Sequence, residues 1–198
     1  VCFDELVNEA AKLRFMFGGK VKVPMVMRTA SGAGTGAAAQ HSQSLEACLA
    51  HFPGLKVVIP STPYAAKGLL KTAIRDDNPV MFLEQKTLYR TKGMVPEGEY
   101  SIPLGQADIK LAGSDCTVVT YGRMVNTCLT AAQELEKDGV RLEVIDIRSL
   151  VPLDTQTILE SVKKTGYLII ADTGWRTGGI AAEIAASVYE SAFNVLKA

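Results

Sequence analysis

A charge imbalance is the first thing this chain lacks. Its 21 basic residues face 21 acidic ones, leaving no formal net charge. Without a basic excess there is little to neutralise a run of phosphates, which argues against a nucleic-acid-binding surface. No apolar stretch reaches the roughly 18 residues that a bilayer-spanning helix needs, and no signal-peptide pattern opens the chain. Cysteine is sparse. Cys2, Cys48, Cys116 and Cys128 lie far apart and form no C-x-x-C pair, so reduced thiols in a cytoplasmic-type compartment are expected. His41 and His51 are the only histidines, and with scattered cysteines they fit no zinc-ligand spacing. No G-x-S-x-G occurs and no Ser/His/Asp set declares itself, which argues against a hydrolase.

What the chain does have is ordinary globular material: 198 residues, 47% hydrophobic and 21% charged, enough for one or two domains. Phe3, Leu6, Val7, Ala10, Leu13 and Phe17 recur at helical spacing, which predicts a helix over 2–17. Val and Ile-rich runs predict strands at 21–29, 56–60, 79–84, 116–122, 141–147 and 167–172. Helices are expected between them at 42–51, 63–75, 124–138, 154–164 and 179–195. Thr62-Pro63 supplies an N-cap and a proline at the first helical position, and Gly139 and Gly166 supply C-caps. Between 86 and 113 the periodicity fails and Gly93, Pro96, Gly98, Pro103, Gly105 and Gly113 punctuate the chain, as in a linker with some short strand content. Alternating strands and helices predict an α/β fold whose sheet is parallel and covered on both faces. Two units are expected, over 1–95 and 114–198, joined by a linker at 96–113. The chain opens on Val1 and stops just after a helix, so it is expected to be part of a longer protein.

Three features invite a functional reading. Gly32-Ala-Gly-Thr-Gly-Ala37 fits G-x-G-x-x-A between a strand and a helix. A dinucleotide site would need an acidic residue at the end of the next strand. That strand ends Ile59-Pro60-Ser61, so a tight turn with a close backbone approach is the better reading. His41 follows this loop at the predicted start of a helix. It is either a local hydrogen-bonding residue or part of a donor-rich concave site. His51, late in the same helix, reads as a surface or helix-terminal residue. The second glycine cluster, Gly174-Trp-Arg-Thr-Gly-Gly179, reads equally as an ordinary helix cap or as an interface or anion contact.

Gln40-His-Ser-Gln-Ser-Leu-Glu-Ala47 is followed by Pro53-Gly-Leu-Lys-Val-Val-Ile-Pro60, Tyr64-Ala-Ala-Lys-Gly-Leu-Leu70 and Ala73-Ile-Arg-Asp-Asp-Asn-Pro-Val80. Ser114-Asp-Cys-Thr-Val-Val-Thr-Tyr-Gly122, Glu143-Val-Ile-Asp-Ile-Arg-Ser-Leu150, Pro152-Leu-Asp154 and Arg176-Thr-Gly-Gly-Ile-Ala-Ala-Glu-Ile184 continue the series. In this order, over essentially the whole chain, the segments resemble the β subunits of the first component of 2-oxoacid dehydrogenase complexes. Pyruvate, acetoin and branched-chain 2-oxoacid enzymes make up that group.

The resemblance implies a transketolase-like architecture, with a pyrimidine-binding domain followed by a smaller C-terminal α/β domain. It implies thiamine diphosphate shared with an α subunit in an α2β2 heterotetramer, Mg²⁺ on the α subunit, acyl transfer to the lipoamide of a lipoyl acyltransferase, and a small 2-oxoacid as substrate. It implies neither nucleic-acid nor membrane partners, and a location in the bacterial cytoplasm or the mitochondrial matrix. The glutamate that activates the cofactor's aminopyrimidine ring lies upstream of residue 1 in such proteins. His41 matches the family's active-site histidine, with Gln40 beside it. Met25, Ala73, Ile74, Asp76 and Asn78 match positions that hold a structural potassium ion, largely through backbone carbonyls. Leu45 stands where many branched-chain members have proline, and Ser61-Thr-Pro-Tyr64 leans toward the pyruvate or acetoin members. The branched-chain enzyme and a non-catalytic assembly module of the same fold are the alternatives.

Overall fold

A computed structural model describes residues 2–197. Among these described residues, eight strands form two four-stranded sheets. In the first, β1 (Val26–Ser31), β3 (Val80–Gln85), β2 (Lys56–Val58) and β7 (Ser149–Val151) lie side by side in that order. In the second the order is β4 (Asp108–Leu111), β6 (Leu142–Asp146), β5 (Cys116–Thr120) and β8 (Leu168–Ala171). The sequence suggests purely parallel sheets; both are mixed. β7 pairs antiparallel with β2, and β4 pairs antiparallel with β6. The sequence gives little warning of β7. Three residues are too few to establish a period, and they follow a reversal at Arg148, whose φ is +52°.

A π-helical stretch, Glu5–Ala10, runs into α1 (Ala11–Met16) and buries Leu6, Val7, Ala10 and Ala11. The strand expected over 21–29 begins only at Val26, because Pro24 has no N–H to give a ladder. The helix expected over 42–51 shrinks to α2 (Glu46–Ala50). Ser42 instead donates its hydroxyl to the Ala38 carbonyl at 2.6 Å, a local bond that competes with helix formation. α3 (Pro63–Arg75) forms where its signals place it. The Thr62 hydroxyl accepts the Ala65 N–H at 3.1 Å, and Ala65, Leu69 and Ala73 recur on one buried face. α4 (Met124–Glu136), α5 (Thr155–Thr165) and α6 (Ile180–Ala192) cover the second sheet. Asp154 caps α5 by accepting the Thr157 N–H at 3.1 Å, and Gly166 closes it with φ +78°.

Val57, Ile59, Met81 and Leu83 from the first sheet join Val119, Ile145, Ile147, Ile180 and Ile184 in one apolar cluster. Each such side chain contributes about 1.5–3 kcal/mol on burial. The linker is strapped down by polar contacts. The Arg148 guanidinium donates to the carbonyls of Gln106 and Ala107, each at 2.9 Å through Nη2. Asp154 accepts the Ala107 N–H at 2.8 Å. Buried Ser61, three residues past β2, donates to buried Asp146, at the end of β6. No helix among the described residues is long and apolar enough to cross a membrane.

Candidate functional site

Parallel strands present their carboxyl ends together, and open α/β sheets bind ligands beyond those ends. Here β1 and β3 end at Ser31 and Gln85, while β5 and β8 lead into Tyr121 and Asp172. These four residues and Glu46, the first residue of α2, form a polar cluster between the sheets. Glu46 is 1% exposed, and its Oε1 accepts the Ser31 hydroxyl at 3.1 Å. Burial pushes the Glu46 carboxyl above its usual range, and the negative charge of Asp172 pushes it the same way. Tyr121 donates its phenol to Asp172 Oδ1 at 2.5 Å. Burial and then the Asp172 charge hold that phenol well above its usual range.

Gln85 Oε1 accepts the Arg123 backbone N–H at 2.6 Å. A Cβ on Gly122 would lie 2.6 Å from that oxygen, and Gly122 has φ +56°, so only glycine fits there. Gln85 approaches Glu46 closely enough to favour its charged form, yet Gln85 Nε2 and Glu46 Oε2 complete no hydrogen bond among the described residues. Arg123 packs its guanidinium over the glycine loop: Nη1 would be 3.2 Å from a Cβ on Gly34. The glycine loop is therefore a close backbone approach. It opens onto no helix N-terminus, because α2 starts ten residues after Gly36.

His41 lies on the same carboxyl-end rim, in a turn at 38–41, and is exposed. It precedes α2 by five residues, so the helix start expected there is absent and no helix dipole acts on the ring. Its backbone carbonyl accepts the Lys86 ammonium. Gln40 is exposed in the same turn. His51 is also exposed, at the end of α2, with its ring edge-on to Phe52 at 5.5 Å.

Met25, Ala73, Ile74, Asp76 and Asn78 gather at the opposite, amino-end rim of the first sheet. The Met25 carbonyl accepts the Val80 N–H at 2.8 Å, and the Ala73 carbonyl accepts the Asp76 N–H at 3.2 Å. Asp76 Oδ1 accepts the backbone and side-chain N–H groups of Asn78 at 2.9 and 2.8 Å, while Lys56 donates to Asp76 Oδ2 at 2.5 Å. Although burial opposes it, the bonds from Lys56 and Asn78 hold the Asp76 carboxyl below its usual range. The Ile74 side chain points to solvent. Gly174 donates its N–H to Asp172 Oδ1 at 2.7 Å, and Gly179 caps α6, so the second glycine cluster borders the buried polar group.

Sequence reasoning does not single out Glu46, Gln85, Tyr121 or Asp172. A usable signal exists for two of them. Gln85 and Asp172 stand at or just past the carboxyl ends of apolar strands, the position where α/β sheets carry their chemistry.

Two family models cover the chain. The transketolase pyrimidine-binding domain matches residues 2–92, and the transketolase C-terminal domain matches residues 105–198. The β subunit of the acetoin:2,6-dichlorophenolindophenol oxidoreductase of Cupriavidus necator is 54% identical over 198 residues, 100% of this chain and 59% of the relative. The chain consists of the pyrimidine-binding and C-terminal domains of the transketolase family. A second relative, the pyruvate dehydrogenase E1 component subunit beta of Rickettsia felis, is 50% identical over 99% of this chain and 60% of its own length. The chain spans about three-fifths of the length of these family relatives. Among solved structures, a split-gene transketolase, described as an inactive beta4 tetramer, shares the fold. Its TM-score is 0.75 at 22% identity, over 94% of this chain and 61% of that one.

Proposed function

We propose that this chain is the larger part of a β subunit from a thiamine-diphosphate-dependent dehydrogenase, acting on acetoin or pyruvate and passing the acyl group to lipoamide. The observation that carries the reading is 54% identity to an acetoin oxidoreductase β subunit along the whole chain. An exposed histidine on the carboxyl-end rim accords with it. The 50% identity to a pyruvate dehydrogenase β subunit keeps pyruvate as the second substrate. The active unit is an α2β2 heterotetramer docking with a lipoyl acyltransferase.

Thiamine diphosphate, when bound, supplies a thiazolium carbon that stabilises the carbanion left by cleavage of the substrate. The carboxyl-end rim fits the uncharged end of such a cofactor. It offers His41, Gln40 and backbone groups of a glycine turn, with no helix N-terminus behind that turn to take a diphosphate. The family resemblance assigns the diphosphate and its Mg²⁺ to the α partner. His41 donates an imidazole N–H to the oxygen that gains charge, and Lys86 steadies the turn through the His41 carbonyl. At the opposite rim, the Met25, Ala73 and Ile74 carbonyls with Asp76 and Asn78 oxygens suit a potassium ion, a hard cation that prefers oxygen donors. Lys56 already neutralises part of the Asp76 charge, so few anionic ligands are left and a monovalent ion is favoured over a divalent one.

The test is His41→Ala in the full β chain assembled with its α partner. Turnover falls at least about a hundredfold, as when one acid–base or oxyanion group is lost. Melting temperature and assembly stay unchanged, because the side chain is exposed. His51→Ala leaves turnover near normal. Near-normal turnover in His41→Ala, or greater damage from His51→Ala, overturns the assignment.

A further inference from the structure

β7 joins the first sheet through a short antiparallel ladder, in which Val57 faces Val151 and Val58 faces Ser149. The Arg148 carbonyl adds one more rung by accepting the Ile59 N–H at 2.8 Å. Two residues beyond Ile59, the Ser61 hydroxyl donates to Asp146 Oδ2, so a side-chain bond takes over where the backbone rungs stop. Ser61 comes from the first unit and Asp146 from the second. Asp146 is 0% exposed and Ser61 1%. The bond therefore crosses the junction of the two units with no access to solvent.

A carboxylate sealed in this way needs compensation. Apart from Ser61, Asp146 accepts only the Arg148 backbone N–H, at 3.2 Å through Oδ1. It forms no ion pair among the described residues. Lys110 on β4 gives its ammonium to Asp108 Oδ2 at 2.6 Å, and the Arg148 guanidinium lies 3.6 Å from that same oxygen. Arg148 also donates to the linker carbonyls of Gln106 and Ala107. Around Asp146, β4 presents Asp108 and Lys110, β5 presents the uncharged Thr120, and the first unit presents the Ser61 hydroxyl. Asp154, at the head of α5, shares the field of Arg148. Two hydrogen bonds and two cations already engaged elsewhere are set against complete burial. Burial wins and pushes the Asp146 carboxyl up to about 6. A hydroxyl both donates and accepts, so protonation of Asp146 reverses the Ser61 bond without breaking it and removes the buried charge.

We propose that Asp146 and Ser61 form a proton-operated latch between the two units. With its proton, the carboxyl lets the junction stay dry and closed; without it, the buried charge draws the junction toward opening to water. The latch sits at the end of the β2–β7 ladder, so its state sets how firmly β7 holds the first sheet. It goes beyond the dehydrogenase reading and does not rest on it. The sign follows from linkage. A carboxyl raised on folding adds stability that is complete in acid and is lost as pH rises through about 6. Asp76, Glu143 and Asp154, all held below their usual range, work in the opposite sense, so the latch is read as a difference between proteins.

The test uses the full chain and Asp146→Asn, an uncharged side chain of the same shape. Between about pH 7.5 and about pH 5 the wild type should gain about tenfold in its folded-to-unfolded ratio relative to the variant. That gain corresponds to about 3 °C in melting temperature. Over the same range, wild-type protection of the Ile59 N–H from hydrogen exchange, corrected for the intrinsic rate, should rise by up to about tenfold and stay flat in Asp146→Asn. Ser61→Ala removes one donor to the carboxylate, so the wild-type transition should move to higher pH. Parallel pH dependence in wild type and Asp146→Asn, or a transition unmoved in Ser61→Ala, overturns the proposal. If neither variant folds, the carboxyl carbon of Asp146 in the wild type, followed by NMR, decides: a midpoint near pH 6 supports the latch, and one in the usual range near about 4 overturns it.

Discussion

The two rims of the first sheet are built to different standards. At the amino-end rim, the chain's own carbonyls and carboxylates take up the N–H donors. Val23, Lys56 and Val80 donate their N–H groups to Asp77, Pro79 and Met25, and Asp76 collects both Asn78 and Lys56. At the carboxyl-end rim, residues 34–41 are all exposed. Their turn is held chiefly by the Ser42 and Lys86 side chains, with Gly32 donating to the Gln43 carbonyl at its base. One edge has its N–H donors taken up by the chain itself, leaving only spare oxygen lone pairs; the other keeps its polar groups available. A sheet that must present chemistry to a partner and a cofactor needs this asymmetry, since hydrogen bonds already made cannot be offered again.

The contrast can be broken or sharpened by substitution. The largest effect belongs to Gly54, under the amino-end rim. It has φ +104°, and a Cβ there would sit 1.9 Å from the Ala11 carbonyl oxygen. Gly54→Ala must displace α1, and a loss of about 4 kcal/mol or more in a urea melt is expected. A loss below about 1 kcal/mol would mean that α1 is not docked there. Next comes Asp76→Ala, which removes the acceptor for Asn78 and Lys56. It should lower stability by about 2 kcal/mol, or melting by about 4–8 °C. An unchanged melt would show that the donors of this rim are not held as described. The smallest effect is expected from Gly36→Ala on the open rim. Gly36 has φ +70°, but a methyl group added there would meet no atom within 4 Å. Only backbone strain of about 1–2 kcal/mol applies. A loss as large as that of Gly54→Ala would show that contacts, not strain, fix the open loop.

Legibility in the sequence follows capping signals and element length rather than position along the chain. α3 and α5 carry capping signals strong enough to place their starts at Thr62 and Asp154. α2 carries none: Leu45 precedes it without a side-chain bond, and Ser42, in the polar run Gln40-His-Ser-Gln-Ser44, spends its hydroxyl on a local bond instead. That is why His41 reads as a helix start and lies in a turn. β7 and the antiparallel placing of β4 escape because short edge strands have no period to read. The buried polar cluster is hidden for a different reason. Glu46 is drawn inside by tertiary packing alone, and nothing in the order of its neighbours marks it as buried. The turn at 73–78 is visible because Asp76-Asp77-Asn78-Pro79 is its own local instruction.

β7 carries a consequence for how the protein is made. The first sheet owes its fourth strand to residues 149–151, which bond to Val57 and Val58 almost a hundred positions earlier. A ribosome releases the chain amino end first. The first sheet therefore emerges with the outer edge of β2 bare, and it stays bare while the linker and most of the second sheet are synthesised. An exposed parallel strand edge is a place where another chain can add itself. Until Val151 arrives, the nascent protein offers that edge to any neighbour, and only then does it close against its own polypeptide.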